Sequence, residues 1–255
     1  MRSTFRLTVC AVALSLSIGM VSAVQAAIID LQVTLHIVNV TGATTMGTSA
    51  QQQSILNVVN NIWSQAGIQV AFKDFTSWTD SNALNGGYSS VTGLMNAGKA
   101  AGVVDPDPFV LNVFMVNARP NESPGPGPSS SAGVAGLGWN GMAFFIGSNL
   151  MGWGSWQTIG YVLAHEIGHN LNLPHPDDYG NPLAVGGPAY DNLTNLMYSG
   201  TLPGISNNAS RNVVLTPEQI AIARASVFAA PIPEPATMVM LVIGGLWLNR
   251  HRRAA

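Results

Sequence analysis

Residues 165–175 contain three of the five histidines in this 255-residue chain, arranged as His-Glu-x-x-His with a third histidine six residues later. On an α-helix, His165 and His169 are four residues apart, so both side chains project from one face, about 6 Å apart along the axis. A continuous helix would place His175 about 15 Å from His165 along that axis. The chain must therefore turn back after His169 if three imidazoles are to meet.

Two residues between the second and third histidines favour such a turn. Asn172 is of a residue type that enters the left-handed backbone region more readily than most others, and Pro174 prevents the helix from resuming. The segment thus predicts two helical metal ligands, a break and a third ligand, with Glu166 beside the position where a water would bind. Ligand type and geometry favour zinc, although affinity alone would not exclude copper or nickel.

The pattern His165-Glu166-x-x-His169-x-x-Asn172-x-x-His175 resembles the zinc-binding signature of the metzincin metallopeptidases, with asparagine in place of the usual glycine. The flanking residues 162–171 resemble the reprolysin-like (adamalysin) branch, and so does the segment 55–78. The resemblance implies an α/β (α+β) metzincin-type zincin, with a mixed twisted sheet, an active-site helix and a small C-terminal subdomain. In that family the subdomain carries a methionine turn.

Asn195-Leu196-Met197-Tyr198 resembles this methionine turn, which would place Met197 beneath the histidines. Some metzincins carry a tyrosine ligand two residues after the methionine. That position is Ser199 here, so Tyr198 does not inherit the role.

By this resemblance, one catalytic Zn²⁺ would be held by His165, His169 and His175, with Glu166 as the catalytic base. The implied activity is a zinc metalloendopeptidase that hydrolyses peptide bonds in protein or peptide substrates through a Glu-activated, zinc-bound water. The alternative is a non-catalytic, zinc-containing surface or biofilm-matrix module. The presence of Glu166 favours the enzyme, because a structural site needs no base. Asp191 is the best substitute ligand if His175 does not bind.

The first 26 residues have the pattern of a secretory signal peptide. Arg2 and Arg6 precede an apolar run over 7–21, and small residues lead to a predicted cleavage after Ala26, or after Ala23 as second choice. The lone cysteine, Cys10, falls inside this signal. The mature chain would therefore have neither a disulfide nor a cysteine to block the metal.

The last 25 residues have a different pattern. Pro233-Glu234-Pro235 precedes an apolar run over 236–248 and a basic cluster. The order resembles the PEP-CTERM sorting tail, which implies a Gram-negative cell envelope or extracellular matrix and an exosortase-type processing enzyme as partner. About 13 apolar residues are few for a free-standing membrane span, so we expect transient anchoring, with a plain transmembrane anchor as the alternative. The predicted domains are 1–26, 27–230 and 231–255.

The charge of the central region excludes one class of partner. Between Ala27 and Pro235, five lysines and arginines stand against all twelve acids, a net charge of about −7. Such a surface argues against nucleic-acid binding. Asp177, Asp178 and Asp191 could bind calcium, but they show no recognised ligand spacing.

Hydrophobic periodicity and turn residues predict the remaining elements. Strands are expected at 31–40, 68–75 and 109–116, and helices at 48–66, 90–101, 158–171 and 216–229. Asn140-Gly141 predicts a tight hairpin between 134–139 and 142–146. The metzincin resemblance implies that residues 143–147 bind an extended peptide by strand addition, and the alternative is an ordinary core hairpin. His36, within the first strand, is expected to be half-exposed rather than a ligand.

Overall fold

The computed structural model describes residues 29–118, 133–145, 156–175, 195–197 and 213–232. The predicted signal peptide and the predicted sorting tail beyond Ile232 lie outside these ranges. Within the described part of the chain, no helix is long and apolar enough to cross a membrane.

The first unit is a strand, a helix and a parallel strand. It consists of β1 (Leu31–Val40), α1 (Ser49–Trp63), a short 3-10 helix (Ser64–Ala66) and β2 (Ile68–Trp78). A capping box of Thr48 and Gln51 opens α1. Gly67, at φ 66°, ends the helical segment as predicted, because glycine enters the left-handed region without steric cost. β2 extends three residues beyond its predicted end.

The sheet is mixed, as expected for the predicted α/β class. The later strands are β3 (Leu111–Met115), β4 (Gly133–Ala135), β5 (Met142–Phe144) and the two-residue β6 (Ala230–Pro231). Their order is β2-β1-β3-β5-β4, and β6 pairs with the start of β1. β4 and β6 run antiparallel to their partners, and the other pairs are parallel. β2 and β4 therefore form the two edges of the described sheet.

Helices cover both faces of this sheet. Val33, Leu35 and Ile37 of β1 belong to the core that includes residues of α1 and of α4 (Trp156–Asn170). Val38 and Val40 belong to a second core with residues of α2 (Ser81–Leu84) and α3 (Val91–Ala100). The helix with the histidine motif thus lies on one face of the sheet, packed against α1.

The predicted tight hairpin is wrong. Ala135 pairs with Met142, so the loop between β4 and β5 contains six residues, 136–141. The Asn140 side chain is instead used over a longer range: its oxygen accepts a hydrogen bond from Asn112 N at 2.9 Å, and its amide donates to Val110 O at 2.6 Å. Asn140 therefore anchors the loop to the start of β3 rather than forming a primed turn.

The last helix, α5 (Pro217–Arg224), ends five residues earlier than predicted. It opens with the predicted capping box of Thr216 and Gln219 and with Pro217 in the first turn. The Arg224 guanidinium donates to both carboxylate oxygens of Asp30, at 2.9 and 2.8 Å. The chain then returns along β1 as β6, so α5 is tied to the start of the sheet.

Candidate metal centre

α4 carries the first two histidines, and its apolar face fixes their direction. Ile159, Leu163 and Ile167 are fully buried in the core beneath the helix. This is the periodicity from which the helix was predicted, and it leaves His165 and His169 half-buried at the margin of that core.

The predicted turn after α4 is confirmed. Asn172 has φ 71° and is the one non-glycine residue with positive φ in the described ranges. Its N–H donates to His169 O at 2.9 Å, and Leu173 N–H donates to Gly168 O at 2.9 Å. These two bonds form a Schellman motif, which reverses the chain at the helix end. Asn172 therefore takes the left-handed conformation that the turn requires.

The turn brings the three predicted histidines together. His175 Nε2 lies 3.2 Å from His165 Nε2 and 3.1 Å from His169 Nε2. A tetrahedral zinc ion with bonds of 2.0–2.1 Å holds its nitrogen ligands about 3.3 Å apart. The observed spacing fits three nitrogens that share one small cation.

Backbone carbonyls select the tautomers of the two helical histidines. His165 Nδ1 lies 2.7 Å from Leu196 O, and His169 Nδ1 lies 2.8 Å from Leu173 O. Since a carbonyl can only accept, each Nδ1 carries the hydrogen and each neutral ring has its lone pair on Nε2. Such outer contacts orient metal-binding histidines. The lone pairs of His165 and His169 therefore face the same point as His175.

Burial also keeps His165 neutral. Loss of hydration, with a smaller contribution from the charge of His169, lowers the pKa of His165 to about 3. Because a metal ion binds only the unprotonated imidazole, this pKa favours a ligand over a charged surface histidine.

Met197 lies against the histidine helix. It is fully buried, and a Cβ placed on Gly168 would overlap its sulfur. Helix backbone and thioether can pack this closely only because residue 168 has no side chain. This arrangement agrees with the expected place of Met197 beneath the histidines.

A reciprocal amide pair holds the residues around Met197. Asn195 and Gln219 exchange two hydrogen bonds of 3.0 Å, and Asn195 Oδ1 also accepts from Met197 N at 2.9 Å. Both side chains are buried. α5 therefore fixes the segment whose Leu196 carbonyl orients His165.

Glu166 lies under the edge strand β4. It is 5% exposed, and a Cβ placed on Gly133 would lie 2.7 Å from its Cγ and 2.8 Å from its Oε1. The glycine thus leaves room for the glutamate between α4 and β4. Glu166 follows His165 directly on α4, and its assignment as the catalytic base stays a prediction.

Asn170 is an important residue that the sequence reasoning missed. Its amide nitrogen lies 3.2 Å from Gly136 O, 2.5 Å from Trp139 O and 3.1 Å from Gly141 O. It therefore anchors the 136–141 loop to the end of α4. Asn170 lies three residues after Ile167, on the buried face of α4. An asparagine on a buried helix face must find hydrogen-bond partners within the protein, and this was the signal in the sequence that could have identified it.

Several predicted residues lie outside the described ranges, among them Asp177, Asp178 and Asp191. The calcium prediction and the role of Asp191 as substitute ligand stay predictions.

No protein-family model matches this chain, and no curated protein matches it. Solved structures that match this chain include metalloproteinase-II from Bacteroides fragilis, at 14% identity and TM-score 0.48, covering 80% of this chain. This chain spans 55% of that structure. Archaemetzincin from Methanopyrus kandleri matches at 14% identity and TM-score 0.47, over 77% of this chain and 96% of its own. Likeness of this extent does not define a function, which depends on the chemistry of the site itself.

Proposed function

We propose that this protein is a zinc metalloendopeptidase. The observation that carries the proposal is the convergence of His165, His169 and His175 through Nε2, and it is supported by a buried Glu166 next to His165 on the same helix. Neutral imidazoles directed at one point are the donor set of a catalytic zinc site. A buried glutamate beside them adds the base that peptide hydrolysis needs.

Each residue of the site has a separate task in this proposal. Zn²⁺, when bound by the three histidines, lowers the pKa of water from ~15.7 to ~7 and polarises a carbonyl. Glu166 accepts the proton of the attacking water and delivers it to the leaving amine. Leu196 O and Leu173 O keep His165 and His169 in the required tautomer.

The edge of the sheet supports a peptide substrate. β4 pairs with β5 on one side, and no other strand of the described residues pairs with its second side. An extended peptide could add to that side, next to Glu166. The expectation that 143–147 supplies this edge is wrong, because Ala143 and Phe144 lie in β5, between β3 and β4. Gly133–Ala135 takes its place.

The loop after β4 offers an apolar contact for such a peptide. Trp139 is 63% exposed, while its carbonyl accepts a hydrogen bond from the Asn170 amide. Gly138 N–H donates to His169 O at 2.8 Å, which keeps the loop beside the metal centre. An aromatic ring on an anchored loop suits an apolar substrate side chain.

The test of catalysis compares wild type with Glu166→Gln on casein and on a quenched fluorescent peptide library. We expect wild-type cleavage to stop in the presence of a zinc chelator and the variant to lose activity while retaining zinc. Glu218→Gln is the matched control, because it makes the same change at an exposed position of α5. Equal activity of wild type and Glu166→Gln would refute the proposed mechanism and favour the non-catalytic zinc module.

The third ligand has its own test. His175→Ala should reduce bound zinc per chain, measured by mass spectrometry of the metal content, whereas Asp191→Ala should not. Unchanged zinc in His175→Ala would exclude this histidine as a ligand.

We also propose secretion into the cell envelope or extracellular matrix of a Gram-negative bacterium. The supporting patterns are the signal-like residues 1–26 and the tail over 231–255, for which an exosortase-type enzyme is the proposed partner. The intact mass of the mature protein tests both. We expect a chain that begins at Ala27 and ends near Pro235; retention of residues 236–255 would contradict tail processing.

A further inference from the structure

A second group of potential metal ligands lies on the other face of the sheet. It consists of His36 on β1, Asp74 on β2 and Asp105 in the segment after α3. His36 is 2% exposed, so the prediction of a half-exposed strand residue is wrong. On β1 it alternates with Leu35 and Ile37 of the first core and points away from the candidate metal centre.

A bulge in β2 aligns two of these residues. Leu35 pairs with Phe72, but His36 pairs with Asp74, so Lys73 is an extra residue in β2. Bulges re-aim side chains at functional sites. Here the bulge places the Asp74 carboxylate in direct contact with Nδ1 of His36.

The other ring nitrogen of His36 is already used. Nε2 lies 2.9 Å from Val103 O, and the Thr76 hydroxyl donates to the same carbonyl at 2.9 Å. Since Val103 O can only accept, Nε2 carries the hydrogen, and the neutral ring has its lone pair on Nδ1. A backbone carbonyl thus orients this ring just as others orient His165 and His169.

Negative charge is in excess around that lone pair. The Asp105 side chain is 3% exposed and pairs with Lys73 Nζ at 2.6 Å, while Asp74 and Asp107 add two further carboxylates. One lysine therefore faces three acids. The Lys73 side chain is 43% exposed, so it can move into solvent and leave an Asp105 oxygen to another cation.

We propose that His36, Asp74 and Asp105 form a second divalent-metal site, separate from the candidate catalytic centre. Their three ligand atoms lie within 4.8 Å of one another. One imidazole and two carboxylates suit Zn²⁺ or a similar transition metal, whereas Ca²⁺ takes oxygen ligands. A metal ion here would link three segments: β1 through His36, β2 through Asp74 and the segment after α3 through Asp105. Its role is to stabilise this part of the sheet.

A competing arrangement uses the same atoms. A protonated His36 paired with Asp74, together with the Lys73–Asp105 pair, would satisfy all four side chains without a metal. The two arrangements differ in the effect of Lys73. A bound metal ion is repelled by the ammonium group, whereas the ion-pair arrangement depends on it.

The experiment measures zinc per chain in the untagged full-length protein, equilibrated with buffered free Zn²⁺ and separated from unbound metal. We expect two zinc ions in wild type, one in Asp74→Asn and one in His36→Gln, with peptidase activity unchanged in Asp74→Asn. Asp30→Asn is the matched control and should retain two. It removes a carboxylate of similar side-chain exposure, 48% against 53%, from another ion pair.

Lys73→Gln provides the second arm. It should bind the second zinc about tenfold more tightly than wild type. Excess Ca²⁺ should not displace that ion. One zinc per chain in wild type, with no change in Asp74→Asn and reduced thermal stability in Lys73→Gln, would overturn the proposal and leave an ion-pair network. Because Asp74 is exposed, its variant should fold, and the difference of one zinc ion between wild type and Asp74→Asn does not depend on peptidase activity.

Discussion

The substitution Gln219→Leu separates the position of a metal ligand from the stability of the fold. Gln219 does not touch the histidines, but its amide pair with Asn195 holds the segment whose Leu196 carbonyl accepts the His165 Nδ1 hydrogen. Leucine has a similar size and cannot replace either hydrogen bond. We therefore expect losses in both stability and zinc affinity.

The structure sets the size of both losses. Gln219→Leu leaves the buried amide of Asn195 and the N–H of Thr216 without the acceptor that they share in Gln219 Oε1. Each unsatisfied donor costs about 1–3 kcal/mol, so the free energy of unfolding should fall by about 2–6 kcal/mol. Zinc affinity should fall about 10–100-fold, the range for contacts that orient metal-binding histidines.

The assay is urea unfolding of the metal-free protein, followed by zinc competition with a chromophoric chelator under conditions where each variant is folded. Asn60→Leu is the control, because it removes two hydrogen bonds to Val70, at 3.0 and 2.6 Å, between α1 and β2. It should lower stability and leave zinc affinity unchanged. If Gln219→Leu lowers stability alone, Gln219 does not position His165 and the reasoning fails.

Three further predictions concern Gly133, Asn170 and His165. Gly133→Ala should displace Glu166 and reduce kcat by about 100-fold with zinc content unchanged, since small misplacements of reacting groups are costly; loss of zinc would contradict this. Asn170→Leu should free the 136–141 loop, lower the free energy of unfolding by about 1–3 kcal/mol and raise KM, whereas an unchanged KM would separate the loop from substrate binding. Burial lowers the pKa of His165 to about 3, so the unfolded chain binds a proton below pH 6.5 that the metal-free fold rejects. The free energy of unfolding of the metal-free protein should therefore be highest above pH 6.5 and about 2 kcal/mol lower at pH 5. Urea unfolding should show a smaller loss over this pH range in His165→Gln.

The features that the sequence predicted correctly depend on neighbouring residues. The α4 helix follows from apolar periodicity, and the reversal at Asn172 follows from residue type and the position of Pro174. The meeting of three histidines then follows from helix geometry and one turn. Such local features need little knowledge of the rest of the chain.

The features that could not be predicted depend on distant segments. The buried state of His36 requires a bulge in β2 and a carbonyl 67 residues away. The role of β4 as edge strand depends on its place outside β5, and Asn140 forms no tight turn because its amide is bonded to residues near β3. Propensity describes what a residue can do locally, and tertiary partners decide which option it takes.

The carbonyl of His169 joins the metal centre to the proposed substrate edge. It accepts hydrogen bonds from Asn172 N–H at 2.9 Å and from Gly138 N–H at 2.8 Å. The first bond closes the turn that carries His175, and the second holds the loop after β4. A Cβ on Gly138 would lie 3.0 Å from Asn172 Oδ1, so turn and loop are also in close contact. The backbone that positions the third histidine therefore also positions the strand proposed to bind the peptide, and a displacement of either one is transmitted to the other.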